Sequence, residues 1–141
     1  MAENRTETAP VVDALVQVSF AVLDILNRAA AEHDLSVTQL RLLGILRDRT
    51  PTMAELAGYL RLDRSSVSGL IDRAERRGLV TRRTSADDAR VSMVELTSAG
   101  LSLGRGLAGS VDARIGELLA DSSPADRERL VDAAAVILRH E

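Results

Sequence analysis

The chain has 141 residues, 45% of them hydrophobic, enough for one domain or for a compact reading unit that shares its core with a helical dimerisation region. Cysteine is absent, which excludes disulfides, thiolate metal sites and cysteine-based peroxide sensing. The net charge of −3 argues at first against a nucleic-acid partner, but eight arginines stand against five acids between Arg61 and Arg90, a local net of +3 that leaves −6 for the remainder.

The first residues, Met1 to Glu7, are polar and mixed in charge, the pattern of neither a signal nor a transit peptide. No apolar run approaches the ~18 residues of a membrane span, so the expected location is the cytoplasm, with no membrane partner. From Pro10 to about Glu32 the spacing predicts a long helix. Val11, Leu15, Val18, Val22, Ile25 and Leu26 form one stripe on it, and Val12, Val16, Phe20 and Leu23 form a second. A surface that wide is either buried centrally in a monomer or shared between the core and a partner chain. The second reading is preferred, because the C-terminal helices show the same excess.

Leu35 to Arg47 reads as the next helix, with a Ser36/Gln39 capping box and Val37, Leu40, Leu43 and Leu46 facing inwards. Thr52 to Leu60 follows, with a second capping box from Thr52 to Glu55. It is placed to cross a DNA backbone in helix-turn-helix geometry, where Thr52 and Met53 would offer main-chain N–H groups to phosphate.

Asp63 then caps a helix that Gly78 ends, and Val67, Leu70, Ile71 and Ala74 fall on its core-facing stripe. The opposite face combines Ser65, Ser66 and Ser68 near the start with Arg73, Arg76 and Arg77 further on. Short side chains let such a helix approach base edges, while the longer cations reach phosphate. Three serines in the first turns suit a cap and a close partner better than a bare surface. Asp72 is expected to pair with Arg76 or to orient Arg73.

Residues 79–84 and 91–96 are β-branched and flank the turn Ser85 to Arg90, which predicts a hairpin wing. Arg90 is placed to reach a minor groove. Asp88 is expected to hold it in a fixed pose. From Thr97 to about Ala120 a helix carries Leu101, Leu107, Val111, Ile115, Leu118 and Leu119, interrupted by Gly100, Gly104, Gly106, Gly109 and Gly116. So many glycines imply close packing against another helix or a flexible joint. Ser123-Pro124 opens a last helix with Leu130, Val131, Ala134, Ile137 and Leu138 on its expected buried side.

No nucleophile-base pair, cofactor loop or metal cluster emerges, so no catalytic residue, cofactor or metal site is expected. Gly104-x-Gly106-x-x-Gly109 has dinucleotide-fingerprint spacing but lies in a helical pattern with no strand before it. His33 and His140 stand at opposite ends of the chain. They read as surface residues near helix ends, with a shared metal site across a dimer the weaker alternative.

At these residues the sequence resembles the MarR family of bacterial winged-helix transcription regulators. The resemblance is carried by Thr52-x-x-Glu55-Leu56-Ala57, by Leu62 to Ser68, and by Asp72-Arg73-x-Glu75-Arg76-Arg77-Gly78-Leu79-Val80-x-Arg82. Asp88-x-Arg90 and Leu96-Thr97-x-x-Gly100 complete it. Departures are Ala74, where the family usually has leucine, and a wing that is acidic at Asp87 and Asp88.

The expected fold is mainly α with a small hairpin wing. Residues 1–34 would be a dimerisation helix, 35–97 a winged helix-turn-helix DNA-binding domain and 98–141 further dimerisation helices. The expected function is a homodimeric repressor of a pseudo-palindromic duplex, not an enzyme. Ser65, Ser66 and Ser68 would face bases, Arg64 and Arg73 bases or phosphates, Arg76, Arg77 and Thr52 phosphates, and Arg90 the minor groove. The resemblance also implies a small anionic, often phenolic, effector bound where the reading unit meets the dimer helices. Its lining is not assignable from the sequence, but with Phe20 and Tyr59 the only aromatics it must be largely aliphatic. The alternative is a winged-helix interaction or ligand-binding module that dimerises without reading DNA.

Overall fold

A computed structural model describes residues 3–139, with side chains from residue 8 onwards; His140 lies outside the described residues. Eight elements follow in order: α1 (Glu3–Ala31), α2 (Val37–Leu46), α3 (Met53–Leu60), α4 (Arg64–Arg76), β1 (Val80–Thr84), β2 (Ser92–Leu96), α5 (Ser98–Leu118) and α6 (Pro124–Leu138). The strands are antiparallel, from Val80 opposite Leu96 to Thr84 opposite Ser92. An isolated bridge joins Thr52 to Met93, and the Val94 N–H donates to the Pro51 carbonyl at 2.9 Å. The residues leading into α3 therefore lie along the free edge of β2. This is the winged helix-turn-helix expected from the sequence, with long helices before and after it.

The core sits between α2, α3, α4 and the root of the wing. Leu42, Leu56, Val67, Ile71 and Val94 are its largest fully buried side chains, each contributing about 2 kcal/mol by removal from water. The α4 stripe of Val67, Leu70, Ile71 and Ala74 is buried as its spacing requires. In α2 the buried residues are Leu42, Leu43 and Leu46, while Val37 and Leu40 are only half-buried. That helix touches α1, α3, α5 and β2, and an element with neighbours on several sides keeps no single apolar stripe.

Three helices end in the same way. After α1, Leu35 N–H donates to Ala30 and Asp34 N–H to Ala31. After α3, Leu62 donates to Ala57 and Arg61 to Gly58. After α4, Leu79 donates to Ala74 and Gly78 to Glu75. These are Schellman closures, which need one left-handed residue. Asp34, Arg61 and Gly78 fill that place with φ of 55°, 53° and 72°.

The outer helices depart from expectation. α1 begins at Glu3 and carries Pro10 within it, and at about 44 Å it is longer than the reading unit needs. Only its C-terminal end packs inward, through Ala29 and Ala30. Val11, Val12, Leu15, Val16, Val18, Phe20 and Leu23 are exposed, so both predicted stripes face outward there. Contrary to the expectation that no segment approaches a membrane span, Thr8–Ala31 is long and apolar enough by length and composition. Asp13 and Asp24 interrupt the apolar run, but the single continuous helix carries them within a segment that is apolar on average. Its buried end nevertheless packs on α2 and α5, and the Arg114 guanidinium on α5 pairs with Glu32 just beyond it. The expected inward side of α6 is not covered within the chain: no residue of α6 is buried, and Leu130, Val131, Val136, Ile137 and Leu138 are exposed.

Candidate nucleic-acid interface

The N-terminus of α4 is held by Asp63, which accepts the Ser66 backbone N–H at 2.7 Å and the Ser65 and Ser66 hydroxyls at 2.7 and 3.0 Å. The Ser66 backbone bond, followed by the two hydroxyl bonds, holds the Asp63 carboxyl below the usual aspartate value. Two of the three expected base-reading hydroxyls, those of Ser65 and Ser66, thus direct their protons back to the cap and present acceptor lone pairs outwards. Ser68 makes no such bond. Among the described residues, Arg64, Arg73 and Arg76 likewise carry no intramolecular hydrogen bond or ion pair, and all three are exposed. One face of α4 therefore offers Arg64 and small groups in its first turns and the uncommitted guanidinium groups of Arg73 and Arg76 after them.

Two expected contacts have other partners. Thr52 accepts the Glu55 N–H on its hydroxyl at 3.1 Å and donates its own N–H to Glu55 Oε2 at 2.9 Å. Its capping box uses the amide that was expected to meet phosphate, and the open amides at this helix start belong to Met53 and Ala54. Arg77 turns away from the other cations, its Nη1 donating to the Asp34 carbonyl at 3.0 Å and its Nη2 to the His33 carbonyl at 2.9 Å.

Asp72 pairs with neither Arg76 nor Arg73. Its partner is Arg82 of β1, at 2.8 Å, and the same guanidinium reaches Glu75 at 2.5 Å. Helical spacing could not reveal this, because the bond crosses from one element to the next. Arg82 thereby fastens the root of the wing to α4. At the wing tip Asp88 Oδ1 accepts the Arg90 backbone N–H at 3.0 Å and its Nε at 3.2 Å. These bonds, the backbone one first, hold the Asp88 carboxyl below its ordinary range. The Arg90 side chain is 91% exposed, so the guanidinium is steered without being covered.

Residues not anticipated from the sequence join this surface. A shallow groove of about 380 Å³ runs between the first turn of α2 and α4, lined by Ser36, Thr38, Ser65, Ser66, Gly69 and Arg73 among others. The Ser36 capping box marks a helix start in the sequence, but its position beside α4 is a tertiary fact. A second cleft, of about 570 Å³, lies between α1, α2 and α5. Leu26, Leu40, Leu43, Leu96, Leu101, Leu107 and Val111 line it, with Gly44, Gly104, Arg47, Arg105 and Asp112. Its lining holds no aromatic residue. His33 is exposed, and no group of three or more potential metal ligands occurs among the described residues.

Residues 33–91, which contain α2, α3, α4 and most of the wing, match the MarR family. An uncharacterised HTH-type transcriptional regulator of Bacillus subtilis, YfiV, is 27% identical over 107 residues, covering 75% of this chain and 67% of that protein. Over residues 33–91 the chain is similar to the MarR family.

The solved structures of MarR-family proteins agree with this architecture. CouR from Rhodococcus jostii RHA1, solved bound to p-coumaroyl-CoA, is 26% identical with a TM-score of 0.77, covering 90% of each chain. MepR of S. aureus, solved as a DNA complex, shares the fold at 21% identity and a TM-score of 0.75, covering 92% of this chain and 97% of that one. The chain therefore has the winged-helix fold of these proteins and is similar, over residues 33–91, to a family of transcriptional regulators.

Proposed function

We propose that the chain is a homodimeric repressor that places α4 in the major groove of a pseudo-palindromic duplex. The observation that carries this reading is the outer face of α4, where Arg64, Ser68, Arg73 and Arg76 are free of intramolecular partners while the opposite stripe is buried. In this reading Ser65, Ser66 and Ser68 meet base edges, Arg64 and Arg73 bases or phosphates, and Arg76 phosphate. Met53 and Thr38 join as backbone contacts, and Arg90, steadied by Asp88, enters the minor groove. MepR was solved as a DNA complex, and the shared fold supports the same docking.

Dimerisation is supported by the exposed apolar residues of α1 and α6. The proposed division of labour is therefore 1–34 and 98–141 for pairing and 35–97 for reading. A two-fold axis would set the two α4 helices about one DNA turn apart, ~34 Å. We assign the cleft between α1, α2 and α5 to a small effector with a mainly aliphatic body and an anionic group facing Arg105. Arg105 has no intramolecular partner among the described residues, and CouR was solved with an acyl-CoA anion. Such a ligand releases DNA only if it binds the non-reading arrangement more tightly.

The test is selection of bound duplexes from a randomised pool, with the native protein and Arg90→Ala in parallel. Enrichment of an inverted repeat by the native chain, weakened by the substitution, is expected. No enrichment by a folded dimer would overturn the reading in favour of an interaction module.

A further inference from the structure

Arg77 lies at the junction of two helix ends. It is the residue before the left-handed Gly78 that closes α4, and its guanidinium reaches the carbonyls of His33 and Asp34, the corresponding pair at the close of α1. A Schellman closure leaves the carbonyls of its last residues without intrahelical donors. The planar arginine fork meets both oxygens at once, which the single ammonium point of lysine does not do with the same fixed geometry. α4 is thereby tied to α1, the helix that contributes Leu26 to the cleft and carries the exposed apolar surface. Arg82 fastens the same half of α4 to the wing.

We propose that Arg77 is a positioning residue. It fixes the angle between the reading helix and α1, and so supports discrimination between duplexes without contributing a phosphate contact. This rests on the reading of α4 as the groove helix. The neighbouring cations provide the contrast: Arg73 and Arg76 line the same recess as Arg77 and Asp34, yet neither has an intramolecular partner. Of the three arginines that close α4, one is spent on the protein and two remain for DNA.

The experiment titrates the full chain against a selected duplex and an unrelated one over a salt series, using the native protein, Arg77→Lys, Arg77→Gln and Arg76→Gln. Both Arg77 variants are expected to lose roughly three- to tenfold in affinity for the selected duplex, with the native salt slope and native affinity for the unrelated duplex. Arg76→Gln is expected to weaken both duplexes and to lower the slope by about 1. A slope lowered by Arg77→Gln and restored by Arg77→Lys would make Arg77 a phosphate contact and overturn the proposal. Native behaviour of both variants would overturn it as well. Should Arg77→Gln not fold, Arg77→Lys, which keeps the charge and the aliphatic stem, decides.

Amide exchange in the free protein gives a second readout. Asp34 and Leu35 are expected to exchange faster in Arg77→Lys than in the native chain, and unchanged rates would overturn the tie. Failure of the native protein itself to distinguish the duplexes would instead refute the reading of α4, leaving the exchange result to judge the tie alone.

Discussion

Gly100 lies so close to Leu79 that a β-carbon placed on it would stand 2.0 Å from the Leu79 carbonyl oxygen. That oxygen also accepts the Thr97 N–H at 3.0 Å, and the Thr97 hydroxyl donates to the Gly78 carbonyl at 2.6 Å. The first turn of α5 is thus pressed against the close of α4. Gly100→Ala must move backbone, and a loss of ~3 kcal/mol in chemical unfolding is expected, at the upper end of overpacking costs. A midpoint within error of native would show that the turn has room to shift.

Arg82 draws on two acids from consecutive turns of α4. Removing it by Arg82→Ala should cost about 1 kcal/mol, the pair being only partly screened by solvent. In a double-mutant cycle with Glu75→Gln the double variant should lose less than the sum of the two single losses. Strict additivity in urea denaturation would mean that the clamp contributes no coupling.

The Asp63 cap gives α4 a pH dependence of known sign. Its carboxyl is depressed below 3.8 in the folded chain, first by the Ser66 backbone N–H. Its contribution is therefore fully present above the unfolded value and is lost as pH falls through the folded one. Asp63→Asn keeps a capping oxygen but does not titrate, so its unfolding midpoint should fall less steeply than the native midpoint as pH drops below 3.8. Parallel curves would remove Asp63 from the acid response.

On the reading face, Arg76→Ala should weaken binding to every duplex, while substitutions at Ser68 should change which sequences are preferred. Competition titrations with matched and mismatched duplexes separate these effects. If both changes acted alike on all sequences, the division between phosphate and base contacts would be wrong.

Among the described residues, nothing lies within 4 Å of where a β-carbon would sit on Gly106 or Gly116. Alanine at either should raise stability by ~1 kcal/mol through helix propensity. A loss instead, accompanied by a shift in sedimentation towards smaller species, would place another helix against that side of α5.

The parts of this structure that were legible in the sequence are those written locally. Capping boxes at Ser36 and Thr52, the apolar stripe of α4 and the turn at residues 85–90 each depend on residues within a few positions of one another. Leu42 was missed because α2 has neighbours on several sides, and Asp72 was given the wrong partner because helical spacing cannot see Arg82 across the turn into β1. Arg77 shows the same limit over a longer reach: as the second of two adjacent arginines it looks like another phosphate cation, and only the arrival of the α1 terminus distinguishes it. The start of α1 escaped for a different reason, since Pro10 reads as a beginning and in fact sits inside the helix.

The last helix bears on how a lone protomer holds together. With none of its residues buried against its own chain, α6 gains little from packing in a lone protomer, and segments with few buried apolar contacts open first. In a lone protomer α6 is thus the segment that opens most readily, and the pairing proposed for its exposed residues would close it.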